Sequence, residues 1–204
     1  MSRTRVKICG TTSAEDALLA QDAGADAIGL IFASISKRRV DVAAARRISL
    51  ALDPSFGRIG VFLDASLDEV LRTAHEARLS AVQVHGEVGD AFLDVLLNFW
   101  PVLRALRPGD EIPTPRTGLS LLFDAAKPGG GVPFDWRSVP FPAGAWLAGG
   151  LSPENVCEAM TLLRPFGVDA VSSLERGPGR KDPARVRAFV EQSRRFDGER
   201  FLSS

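Results

Sequence analysis

Cys9 and Asp124 each close a short apolar run, Lys7-Ile8-Cys9-Gly10 near the start of the chain and Leu121-Leu122-Phe123-Asp124 past its middle. One run ends in a thiol and the other in a carboxyl. Brought together, two such groups serve a reaction in which one removes a proton from carbon and the other delivers a proton to oxygen. Each has a plainer reading as well. A free cysteine on an apolar strand is more often a small buried hydrophobe than a catalyst, and an aspartate ending a strand is commonly a helix cap or turn residue. The lysine two residues before Cys9, the glycine after it and the lack of a periodic helix straight after Asp124 favour the chemical reading.

Other candidates carry weaker signals. Arg38, in the run Lys37-Arg38-Arg39, is either part of a solvated basic loop or a guanidinium able to grip a carboxylate through two hydrogen bonds. His85 lines a pocket or serves structure. Cys157 falls in a helical stretch and reads as core, and Asp135 in Phe134-Asp135-Trp136 reads as the cap of a short helix. Neither cysteine forms a metal-ligand spacing with His75 or His85, so no metal site or disulfide framework is suggested.

Chemistry at residues so far apart in sequence requires a fold that gathers them. Short β-like runs at 6–9, 27–32, 58–63, 81–85, 102–106, 119–124, 145–148 and 168–172 alternate with amphipathic stretches, which predicts a parallel sheet with helical crossovers. Ser13 caps a helix through Ala23, with Asp16 as a capping-box acid and Gly24 as the stop. A second helix covers 42–52 and stops before Asp53-Pro54. A third opens at Ser66 with Glu69 and runs to Arg78. Ser152-Pro153 and Asp182-Pro183 open the last two, the final one running to Phe196, with proline at the first helical position. Only the fifth crossover, 108–118, is too rich in Pro and Gly for an ordinary helix.

Eight βα units predict an α/β protein of the closed (βα)8 TIM-barrel class, lean beside the ~250 residues typical of that barrel. Residues 1–204 read as a single domain. In such a barrel catalytic groups sit at the C-terminal strand ends, where Cys9, His85 and Asp124 all fall. Gly149-Gly150 ends the seventh strand and Ser172-Ser173 the eighth, the two loops whose backbone N–H groups often bind phosphate. Residues two apart on a strand face the same way, about 6.6 Å apart, so Lys7 shares the face of Cys9. Its ammonium is expected to help hold Cys9 as thiolate.

Bulk composition narrows the partners. Lys plus Arg equals Asp plus Glu at 25 each, so no overall field attracts nucleic acid or an acidic membrane. The longest apolar run, 27–33, is far short of the roughly 20 residues a spanning helix needs. Too few apolar residues follow the basic N-terminus for a signal peptide, which makes a cytoplasmic protein the expectation. Apolar helix positions do not divide between core and subunit contact, so monomer and homodimer both stay open.

Several motifs in order resemble the phosphoribosylanthranilate isomerase family of tryptophan biosynthesis. They are Val6-Lys7-Ile8-Cys9-Gly10, Gly24-Ala25-Asp26-Ala27-Ile28-Gly29, Ser36-Lys37-Arg38, Val82-Gln83-Val84-His85-Gly86-Glu87, Leu122-Phe123-Asp124, Phe134-Asp135-Trp136, Gly149-Gly150-Leu151-Ser152-Pro153-Glu154-Asn155-Val156 and Pro178-Gly179-Arg180-Lys181-Asp182. The resemblance implies an Amadori rearrangement of N-(5′-phosphoribosyl)anthranilate to the 1-deoxyribulose 5-phosphate, without metal or cofactor. It implies Asp124 as the general acid on the furanose ring oxygen, Cys9 as the base at C2′, and Arg38 on the anthranilate carboxylate. Those roles ask for an Asp124 carboxyl raised by burial or a neighbouring negative charge, and a Cys9 thiol lowered from ~8.5.

Three places depart from the family pattern. The last strand usually reads Asp-Val-Ser-Ser-Gly-Val-Glu, whereas Asp169-Ala170-Val171-Ser172-Ser173-Leu174-Glu175 slides the serines by one, which on a strand would turn them to the other face. The loop Gly129-Gly130-Gly131 is one residue short, and Ser34 replaces a proline in the loop carrying Arg38. The related sugar isomerase of histidine biosynthesis uses carboxylates at both catalytic strand ends, so the thiol argues against it. A ribulose-phosphate epimerase would want a metal site. A non-catalytic phosphosugar-binding barrel is the rival from another class.

Overall fold

The computed structural model describes residues 3–107, 109–124 and 141–202, the side chains of 198–202 excepted. Pro108, the Gly129-Gly130-Gly131 loop and the cap expected at Asp135 in Phe134-Asp135-Trp136 lie outside the described residues.

The apolar runs become eight parallel strands: β1 (Arg5–Cys9), β2 (Ala27–Ile31), β3 (Gly57–Leu63), β4 (Ala81–His85), β5 (Val102–Leu106), β6 (Leu119–Asp124), β7 (Trp146–Ala148) and β8 (Gly167–Ala170). They pair in chain order, and β8 pairs back onto β1, so the sheet closes into the expected barrel. Near-continuous burial along β1, β2 and β4 follows from closure, because helices cover one face and inward side chains fill the other. Fully burying each Val, Leu, Ile or Phe there contributes about 1.5–3 kcal/mol.

Helices α1 (Ala14–Asp22), α2 (Val42–Ala51), α3 (Leu67–Glu76) and α4 (Asp90–Leu97) follow the first four strands. α5 (Val156–Leu163) and α6 (Pro183–Leu202) follow β7 and β8. The caps expected at Ser13 and Ser66 are present, each hydroxyl accepting from the backbone N–H three residues on at 3.2 Å. Gly24, at φ +87°, stops α1 as predicted. The described residues between β5 and β6 form no helix, in keeping with the proline and glycine of that segment.

The interior packs in storeys. Ala27, Ile59, Ala81, Leu103, Leu122 and Trp146 belong to one apolar cluster inside the barrel. Gly167 leaves room for the indole, since a Cβ there would lie 2.4 Å from the Trp146 ring. Lys7, Gln83 and Asp169, one inward position further along their strands from Arg5, Ala81 and Gly167, are buried polar residues. The C-terminal strand ends lie above them.

Four local expectations are corrected. Asp16 does not complete a capping box; its Oδ2 accepts instead from the Lys181 backbone N–H at 3.0 Å. α5 starts at Val156 and not at Ser152-Pro153, because Asn155 accepts from Ser152 N and donates to Gly150 O, folding the preceding residues into a turn. α6 runs past Phe196 to Leu202, its later turns anchored where Asp197 accepts from both the backbone N–H and the hydroxyl of Thr4. β8 ends at Ala170, and Ser172–Leu174 form a 3-10 turn that buries Leu174. The two serines therefore sit beyond the strand, and the face-turning effect of a one-residue slip does not apply to them.

Candidate active site

Cys9 is the last residue of β1, 3% exposed, and its thiol fits because β2 has glycine beside it. A Cβ on Gly29 would stand 2.4 Å from Cys9 Sγ. Asp124 is the last residue of β6, across the barrel. Both line a cavity of about 260 Å³ at the C-terminal mouth, together with His85, Gly149, Gly150, Asp169, Ser172 and Ser173. Of the seven residues expected from sequence to act on or bind the substrate, six thus meet at one hollow. Among the described residues, a broader hollow of about 980 Å³ opens towards β4 and β5 and shares His85 and Asp124 with it.

The seventh, Arg38, stands outside that lining. Its Nε donates to both carboxylate oxygens of Glu175 at 2.9 Å and its Nη2 to Oε2 at 2.8 Å, so the fork expected to grip a ligand carboxylate is held by one from the protein. Gly10 makes this placement feasible, since a Cβ there would lie 2.7 Å from Arg38 Cδ. The loop that lacks the family's proline is pinned by Ser36, whose hydroxyl accepts from Arg38 N at 3.1 Å.

Glu175 opens a small hairpin of β9 (Glu175–Gly177) and β10 (Arg180–Lys181), beyond the elements expected from sequence. Lys181, also buried, donates from Nζ to Glu175 Oε1 at 3.1 Å and to the Cys9 carbonyl at 2.5 Å. Burial works against the Glu175 charge, but Arg38 and Lys181 hold its carboxyl below the usual range. For Lys181 burial wins and lowers the ammonium pKa.

Beneath the cavity runs a polar chain. Lys7 Nζ donates to Asp169 Oδ2 at 2.8 Å and to Gln83 Oε1 at 2.9 Å, and the Gln83 amide nitrogen lies 2.7 Å from His85 Nε2. Because Lys7 fixes the Gln83 oxygen, the amide N–H donates to His85 Nε2, which puts the imidazole proton on Nδ1. Burial, reinforced by the positive charges of Lys7, Arg104 and Arg107, lowers His85 to about 4, so the ring is neutral near pH 7. For Lys7, burial pushes downward but the Asp169 carboxylate and the neighbouring Cys9 more than offset it, and the ammonium pKa rises.

Burial raises the Cys9 thiol pKa; Lys7 and Lys181 pull it down, Asp169 adds to the rise, and the net direction is up. The expected depression is corrected. Lys7 reaches Cys9 as the strand alternation predicted, but the charge it faces most closely is Asp169.

Gly149 and Gly150 take φ of +92° and +70°, backbone that glycine adopts at little cost, so bare peptide faces the cavity. Ser173 is partly committed: its hydroxyl donates to Leu151 O, and Arg185 of α6 donates to its carbonyl. That leaves the Ser172 hydroxyl and backbone N–H groups to meet an anion. Cys157 faces Gln192 of α6, in keeping with its structural reading. Among the described residues, no group of three or more His, Cys, Asp and Glu could hold a metal ion.

Sequence reasoning passed over Gln83, Asp169, Glu175 and Lys181. A polar residue at the inward phase of an otherwise apolar strand was the available signal for Gln83 and Asp169. Glu175 and Lys181 depend on a hairpin for which the turn-forming Pro178-Gly179 was the available signal.

The model for the family described as N-(5'phosphoribosyl)anthranilate (PRA) isomerase matches residues 6–192. An N-(5'-phosphoribosyl)anthranilate isomerase of Deinococcus radiodurans is 52% identical over 203 residues, covering 95% of this chain and 98% of the relative. The crystal structure of phosphoribosyl anthranilate isomerase from Thermotoga maritima superposes with a TM-score of 0.85 at 35% identity, covering 94% of this chain and 98% of that one. A second solved structure, the same kind of enzyme in complex with reduced 1-(o-carboxyphenylamino)-1-deoxyribulose 5-phosphate, gives 0.80 at 33% identity with the same coverage. With its closed barrel and its thiol and carboxyl at one mouth, the chain belongs to the N-(5'-phosphoribosyl)anthranilate isomerase family.

Proposed function

We propose that Cys9 and Asp124 are the base and acid with which this chain isomerises N-(5′-phosphoribosyl)anthranilate in tryptophan biosynthesis. The carboxyl of Asp124 gives its proton to the furanose ring oxygen. The C1′–O bond breaks, and the nitrogen lone pair forms an iminium at C1′. That charge makes the C2′–H bond acidic, and Cys9 as thiolate removes the proton. The C2′–H bonding pair becomes the C1′=C2′ π bond as the iminium π pair returns to nitrogen, giving an enolamine that relaxes to the ketone by losing its C2′ hydroxyl proton and gaining a proton at C1′.

The observation that carries this reading is one cavity lined by Cys9, Asp124 and the glycine and serine backbone after β7 and β8. The phosphate is assigned to Gly149, Gly150, Ser172 and Ser173, chiefly through main-chain N–H groups. Arg38 is assigned to the anthranilate carboxylate with the donors that Glu175 leaves over. Since burial favours the thiol, the reacting species is the thiolate fraction, which grows as pH rises.

Anthranilate fluorescence provides the test. Enzymically generated phosphoribosylanthranilate mixed with the protein should lose its fluorescence, and Cys9→Ala should not accelerate that loss. A folded wild type that leaves the signal unchanged would contradict the assignment and favour a barrel that only binds phosphosugars.

A further inference from the structure

Asp169 holds one carboxylate oxygen that the protein does not use. It stands on β8 opposite Lys7 of β1 in the barrel register, 4% exposed, with Oδ2 receiving the Lys7 ammonium. Its other oxygen, Oδ1, is buried and has no hydrogen-bond partner among the described residues. A buried acceptor without a donor is costly, and native structures leave few of them without a reason. Holding the strands together does not supply the reason, because a buried ion pair is no better for stability than well-packed apolar residues. Asp169 also lines the cavity shared by Cys9 and Asp124.

The chemistry of Oδ1 restricts what it meets. Burial and the nearby Asp124 push the Asp169 carboxyl pKa up against the pull of Lys7; with the Lys7 ammonium donating to Oδ2, the ionised form leaves Oδ1 only as an acceptor of hydrogen bonds. The phosphate and aryl carboxylate of the substrate are themselves acceptors and would be repelled. The donors left are the sugar hydroxyls and the anilino N–H. Asp169 precedes Ser172 by three residues, so it lies below the end of the cavity assigned to phosphate, where the sugar comes next.

We propose that Asp169 is a substrate-binding residue whose Oδ1 accepts a hydrogen bond from a ribose hydroxyl, with Lys7 clamping Oδ2 so that the free oxygen is aimed into the cavity. The inference rests on the functional reading above and adds to it a residue that discriminates a hydroxylated sugar from a deoxy one. Gln83 takes part as a positioning residue, holding the second face of the Lys7 ammonium.

The test pairs hydroxyl deletion with side-chain substitution. The reduced ketose product analogue and its three singly deoxygenated counterparts are titrated into wild type, Asp169→Asn and the paired variant Lys7→Gln/Asp169→Asn. Removing one particular hydroxyl should weaken wild-type binding about tenfold or more, as expected for a hydrogen bond to a charged group, and should cost Asp169→Asn far less. Equal losses in wild type and variant for all three hydroxyls would overturn the inference. Should Asp169→Asn not fold, the paired variant, which removes both buried charges together, supplies the same comparison. Wild type that turns substrate over yet shows equal losses overturns this inference alone. Wild type that neither turns substrate over nor binds the parent analogue overturns the functional reading and this inference with it.

Discussion

At the scale of single residues the thiol carries the account. Cys9 is buried beside Lys7, Asp169 and Lys181, and burial outweighs the two ammonium groups. Its pKa therefore lies above the ordinary ~8.5, and kcat/KM is expected to climb with pH through and beyond that value. Lys7→Met removes a charge that favours the thiolate, so the climb should move to still higher pH; an unchanged thiol titration would remove Lys7 from the account. Gly29 sets the thiol's position from the neighbouring strand. Adding a Cβ 2.4 Å from Sγ in Gly29→Ala should lower kcat by about 10²-fold, the scale of an ångström's misplacement, in a protein whose circular dichroism is unchanged. That Cys9 and Asp124 meet at one cavity was legible in sequence because each ends a short strand. The direction of the thiol shift was not, since it depends on how completely packing from distant strands excludes water.

At the scale of elements, the strand spans at β4, β5 and β6 agree with the sequence reading to the residue, because each short, mainly apolar run is bounded by turn signals such as Ser80, Gly86, Pro101 and Gly118. Elements held by side chains from elsewhere were hidden. Asn155 reaches back to Ser152 and Gly150 and delays α5, and Leu174 sinks into the core and bends the chain after β8 into a tight turn. The β9–β10 hairpin brings Glu175 and Lys181 to Arg38 and to the end of β1. Glu175→Gln removes the charge that fixes the guanidinium and leaves Lys181 buried without its carboxylate. A rise in KM of about tenfold, with kcat changed much less, is expected if Arg38 binds the substrate carboxylate. Steady-state kinetics showing an unchanged KM would detach the hairpin from substrate binding.

At the scale of the whole molecule, the two ends of the barrel divide the work. The C-terminal mouth gathers the reactive groups, while the opposite end is tied by Asp26, which accepts from Arg194 and Arg5, from Arg3, and from the backbone N–H of Val6. Burial opposes the Asp26 charge, but these donors hold its carboxyl below the usual range. A depressed folded-state pKa gives stability that is present above the unfolded value of ~3.9 and is lost as pH falls through the folded value. Asp26→Asn should unfold more easily near pH 7, by roughly 1–3 kcal/mol, and lose less on acidification than wild type, as urea titrations at several pH values would show. Equal acid sensitivity in both would clear Asp26 of that role. The closed barrel was legible because eight βα alternations leave few other ways to bury both faces of each strand. The polar chain inside it was not, since Lys7, Gln83 and Asp169 meet only on closure. Single-turnover kinetics with C2′-deuterated substrate test most directly whether the Cys9 thiolate takes the C2′ proton. A primary isotope effect in wild type, together with loss of the fast phase in Cys9→Ser, is the predicted result. A fast phase of wild-type rate in Cys9→Ser would contradict it.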